Sequence, residues 1–152
     1  MNIFLKLIFF LIINLIINTK ILTANELDNV GACAGVVIGN ASVDFSLGDQ
    51  KGFDDGIKLG ITAYVSQVFA NNYSKNDIAI ADKILASNTD KIINAANTQT
   101  FDENIFEEVI KCYRMLSILV MKNADTIKIN FKKINNIINQ RNNLLRRMLS
   151  AG

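Results

Sequence analysis

The stretch Leu27-Asp28-Asn29-Val30-Gly31-Ala32-Cys33-Ala34-Gly35-Val36-Val37-Ile38-Gly39-Asn40-Ala41 decides the fold. Leu27, Val30, Ala34, Val37 and Ala41 recur at intervals of three and four, the period of a helix, and Cys33 lies on the same flank. Gly31, Gly35 and Gly39 are four apart and share one helix face. An interior glycine costs about 1 kcal/mol against alanine, so the three together must recover about 3 kcal/mol from an approach that a Cβ would block. A close crossing of the first two helices, with Cys33 carried toward a partner, is the expected use. A second series continues the spacing in Gly48, Gly52, Gly56 and Gly60. Gly56 and Gly60 are assigned to helix packing, and Ser46-Leu47-Gly48-Asp49 places Gly48 and Gly52 in a turn.

The same period continues to the C-terminus. Phe53, Ile57, Ile61, Tyr64 and Val68 mark a second helix. Ser74-Lys75-Asn76-Asp77 supplies an acidic capping box for a third, carrying Ile78, Ala81, Ile84 and Leu85, with a short restart expected at Ser87. Thr100-Phe101-Asp102-Glu103 is a capping box for a fourth, bearing Ile105, Val109, Cys112, Leu116 and Leu119. From about 124 to 149 a heptad seam runs through Ala124, Ile127, Phe131, Ile134, Ile138, Arg141, Leu145 and Met148. Its polar member, Arg141, marks either a register-setting residue or the point where the helix leaves the bundle. With no proline and no Gly/Ser-rich linker, residues 25–152 read as one all-α domain. We expect a small up-and-down bundle of four to five helices.

Residues 1–24 differ from the rest. Lys6 precedes an apolar run from Leu7 to Ile17, broken only by Asn14 and too short for the about 20 residues of a membrane span. This is the shape of a signal peptide, with cleavage expected after Ala24. The chain's two cysteines, Cys33 and Cys112, both follow that point, as they should if they pair in an oxidising compartment. The expected location is therefore secreted, in a bacterial periplasm.

Composition removes several kinds of chemistry. The 152 residues contain no His, so Ser-His and Cys-His nucleophiles and imidazole metal sites are absent. The adjacent carboxylates Asp54-Asp55, Asp102-Glu103 and Glu107-Glu108 do not face one another on a helix. Asp49, Asp54 and Asp55 miss the spacing of a calcium loop. No metal site, no cofactor and no enzymatic activity are expected.

Charge is polarised along the chain. Residues 25–110 carry 13 acidic and 5 basic side chains, whereas residues 111–152 carry 9 basic side chains against Asp125 alone. Lys128, Lys132, Lys133, Arg141, Arg146 and Arg147 give the last helix a basic surface, with Lys132, Lys133, Arg146 and Arg147 expected together on one outer flank. Three uses fit: neutralisation of the acidic helices, contact with an acidic partner protein or with the unfolding clients of a chaperone, and association with an anionic membrane surface; a second copy of the chain is the alternative partner for the glycine face. Nucleic acid is not expected, because no aromatic residues are interleaved with the basic ones.

Cys33-Ala-Gly35-Val-Val-Ile-Gly39 resembles the opening of small periplasmic immunity proteins that neutralise type VI amidase effectors, which are helical and disulfide-bonded. The likeness spans about seven residues and stops before the Pro-bearing pattern of that group, so no site residue is carried over. The expected function is that of a non-enzymatic protein-interaction domain, an inhibitor, immunity-type or chaperone-like binding protein. The alternative is an envelope protein held at the membrane surface by its C-terminal helix.

Overall fold

The computed structural model describes residues 26–150; the expected leader and its cleavage point lie outside them. Within these residues the chain is an all-helical bundle of six helices with one long-range disulfide. The helices are α1 (26–46), α2 (Gln50–Ala70), α3 (Lys75–Asn97), α4 (Glu103–Lys122), α5 (Ala124–Ile129) and α6 (Phe131–Ser150).

α1 is the hub, because each of its faces has a helix against it. Leu27, Val30, Ala34, Val36, Val37, Ile38 and Ala41 are all at least 96% removed from solvent, as a helix apolar on most of its circumference must be. Gly31, Gly35 and Gly39 face α3: a Cβ on Gly35 would lie 2.2 Å from the Leu85 carbonyl oxygen, and one on Gly31 2.8 Å from that of Ala81. The expected partner of this face was the second helix, and the structure corrects that to α3. The reason is that α2 brings its own small residues to a different face of α1. Gly56 lies against Ala41 and the Val37 carbonyl, and Gly60 against Ile38 and the Ala34 carbonyl. Gly48 adopts a positive φ of 86° in the α1–α2 turn, whereas Gly52 lies inside α2, its amide donating to the cap Asp49.

The remaining flank of α1 carries Cys33, bonded to Cys112 of α4 with 4.9 Å between Cα atoms and 79 positions between them in sequence. Val109, Leu116 and Leu119 of α4 complete that half of the core. The other half is built by Ile134 and Ile138 of α6 against Ile38, Ala41, Phe53, Ile57 and Ile61.

Three local expectations are corrected. α3 runs through Ser87 without a restart, since Thr89, Ile92 and Ala95 stay buried on the inner face. α4 is capped by Asp102, which accepts from the Ile105 amide, because Thr100 turns back to the end of α3 and donates to the Ala95 carbonyl. The last segment is two helices, not one from 124 to 149, with breaks at Asn123 and Asn130. The Asn130 side chain donates to the Thr126 carbonyl, the local competition with helix bonding to which asparagine is suited. Asn123 is buried and donates to Ser66 Oγ and Gln67 Oε1, while Gln67 donates to the Tyr73 hydroxyl. Only part of the expected seam is core: Ala124, Phe131 and Met148 are exposed.

Two stability outcomes follow. Closing a loop of this length stabilises a fold by about 4 kcal/mol in the chain-entropy model. Replacing both cysteines by serine is expected to lower the unfolding free energy by about 2–4 kcal/mol in urea titration. Gly35→Ala forces a methyl onto backbone, and overpacking of this kind costs about 3 kcal/mol. Thermal melts should show Gly35→Ala more destabilised than Gly31→Ala, in the order of their approach distances.

Candidate functional site

Among the described residues a groove of about 490 Å³ lies between α3 and α6, a size at which ligands and partner side chains are commonly held. Ile61, Tyr64, Val65, Val68 and Phe69 of α2, with Ile38 of α1, form its floor. α3 supplies one wall with Ile78, Asp82, Leu85, Ala86, Thr89 and Asp90. α6 supplies the other with Ile137, Arg141, Leu144, Leu145 and Met148. The floor is apolar because α2 buries one stripe against α1 and leaves the adjacent stripe, ending at Phe69, between the two walls.

The polar groups of the groove are few and placed. The Tyr64 hydroxyl donates to Asp82 Oδ1 at 2.8 Å. Burial first, and then the bond to Asp82, push that phenol well above its ordinary pKa, so it remains a donor. Thr89 Oγ donates to the Gly35 and Leu85 carbonyls, tying the α3 wall to the glycine face of α1. Asp82, Asp90 and Arg141 are exposed at the rim. α6 stays on the bundle beyond Arg141, with Leu145 and Leu149 packed against the core. The expectation that the helix leaves the bundle there is therefore corrected.

What seats α6 is Arg146. Its guanidinium lies 4.7 Å from the Phe53 ring centroid and 5.7 Å from that of Phe45, pairs with Asp54 and donates to Gln50. Expected on an outer flank with Lys132, Lys133 and Arg147, it instead turns inward, because a tilted pair of aromatic rings and a carboxylate stand opposite it. Lys132, Lys133 and Arg147 point outward, Lys128 is exposed on α5, and Arg141 is at the groove. The six basic residues thus form no single surface. Ile134 and Ile138 of α6 are in the core, whereas Leu144 and Met148 of the same helix remain exposed.

The disulfide and the packing glycines were legible from residue type and spacing. The groove was not, since its lining comes from four helices whose relative placement no local pattern encodes. Among the described residues no cluster of His, Cys, Asp and Glu has metal-binding geometry, and no helix is long and apolar enough to cross a membrane. Of the carboxylates weighed for calcium, Asp49 caps α2, Asp54 holds Arg146 and Asp55 pairs with Lys51. Comparison with known protein families, with curated proteins and with solved structures finds no match, so the seven-residue likeness to immunity proteins gains no support.

The α6 clasp is open to titration. The amide of Asn142, and then the guanidinium of Arg146, hold the Asp54 carboxyl below its ordinary value of 3.8. A depressed carboxylate stabilises the fold in full above that ordinary value and loses its contribution as pH falls through the lowered one. Asp54→Asn should therefore destabilise the protein at neutral pH and flatten the acid limb of its stability profile. With a half-exposed ion pair of up to about 1 kcal/mol and a cation–π contact of similar size, Arg146→Ala should cost about 1–2 kcal/mol by denaturant titration.

Proposed function

We propose that this protein is an exported, non-enzymatic binding domain that receives an amphipathic helix of a partner protein in the groove between α3 and α6. The observation that carries the reading is the open apolar floor and walls, with Phe69, Leu144 and Met148 presented to solvent beside charged groups of both signs. A helix laid in such a groove contributes apolar residues at intervals of three and four, and its flanks carry the charges. Asp82 and Asp90 stand eight residues apart on one wall, about 12 Å along a helix axis. They favour basic residues on one flank of the guest, and Arg141 favours an acidic residue on the other. Export rests on the leader-like residues 1–24 and on the pairing of Cys33 with Cys112.

The experiment is affinity capture from the cell envelope of the source organism with the oxidised protein as bait, beside Leu144→Glu and Val68→Glu variants. A partner retained by the wild type and lost by at least tenfold with either variant, at unchanged helical content, is the expected result. A partner held equally by all three would place binding elsewhere. Cell fractionation of the native protein should recover it oxidised and outside the cytoplasm.

A further inference from the structure

The outer face of α4 is apolar as well as its inner face. Phe106, Ile110, Ile118 and Met121 are 56%, 44%, 57% and 69% exposed. Their spacing of four, eight and three puts them on one ridge, opposite the buried Val109, Cys112, Leu116 and Leu119. No α4 residue lines the groove described above. The inner side of α4 packs on α1 and α2, and within the bundle the outer ridge stays exposed, an apolar side that a further partner can cover.

Charge along the same helix indicates the other. Glu103 and Glu107 are exposed in the first two turns, while Lys111 near the middle and Arg114 and Lys122 beyond it are exposed, Lys122 within reach of Glu26. A helix that is acidic at its start and basic at its end is complementary to itself when antiparallel, the arrangement imposed by a two-fold axis across its middle. Parallel pairing would set acid on acid and base on base. An anionic lipid surface would meet Glu103 and Glu107.

We propose that the α4 ridge is the contact of a symmetric dimer, with α4 of a second copy lying antiparallel upon it. Centred between Ile110 and Arg114, the pairing sets Phe106 against Ile118 of the second copy. It also brings Arg114 of that copy opposite Ile110, one turn from Glu107. Glu103 then faces the end of the second helix, where Met121 and Lys122 are. Each contact occurs twice. The groove remains open on both copies, so dimerisation and groove binding are separable.

Sedimentation velocity of the purified, oxidised protein, at the length the host accumulates, tests this. A single helix-to-helix contact lies at the small end of specific interfaces, so a dimer with a Kd on the order of 10 µM is expected. Glu107→Arg and Arg114→Glu should each weaken dimerisation at least tenfold. An equimolar mixture of the two variants should form a heterodimer, because each then supplies what the other lacks. That recovery cannot come from a folding defect. A wild type that stays monomeric up to several hundred micromolar, a dimer indifferent to both substitutions, or a mixture that does not recover overturns the proposal.

Discussion

The backbone contact between α1 and α3 is the constraint on which the other helices depend. Gly35 lies so close to the Leu85 carbonyl that no side chain fits between, and Thr89 donates its hydroxyl to the Gly35 carbonyl across the same contact. With α3 seated there, α1 has its remaining circumference free for two further partners, α2 through Gly56 and Gly60 and α4 through Cys33. Any of these approaches made wider by a Cβ displaces helices on both sides of α1, since densely packed interiors transmit a displacement instead of absorbing it. The glycines are therefore spacers whose absence of side chain sets the distance of the α3 wall from the floor of the groove.

Asparagine performs the work that proline and glycine do elsewhere. The C-terminal part of the chain bends at Asn123 and Asn130, in a protein with no proline at all. At Asn123 the bend is fixed by a buried set of amide and hydroxyl groups that joins α2, the loop at Tyr73 and the start of α5. Among the described residues no buried side-chain nitrogen or oxygen lacks a partner, which matters because an unpaired one costs about 1–3 kcal/mol. Bending at Asn130 rotates α6 so that Ile134 and Ile138 meet the core and Arg146 reaches Phe45, Phe53 and Asp54. The Ile134 and Ile138 stripe of α6 is thereby occupied within the bundle, while Leu144 and Met148 stay exposed beside the groove.

The groove and the α4 ridge are both outward-facing and apolar, and the disulfide links the helices that carry them. Cys33 and Cys112 join α1, which carries the α3 wall, to α4, which carries the ridge. Both surfaces are framed by charges of both signs, as expected of protein contacts that must be specific as well as apolar.

By itself, the sequence determined the helical class, the Ser74 cap of α3, the pairing of the only two cysteines and the need for close backbone approach at Gly31, Gly35, Gly39, Gly56 and Gly60. These are local matters: period, cap chemistry, arithmetic and the cost of glycine in a helix. Tertiary structure alone decided that the first glycine series meets α3 and not α2, that Arg146 turns inward while Lys132, Lys133 and Arg147 do not, and that a groove exists. Each of those depends on how helices distant in sequence are rotated about their axes. A helical period states that a face is apolar without stating which neighbour it meets. An arginine two turns from the chain end likewise has no address until two aromatic rings and a carboxylate from other helices are placed beside it.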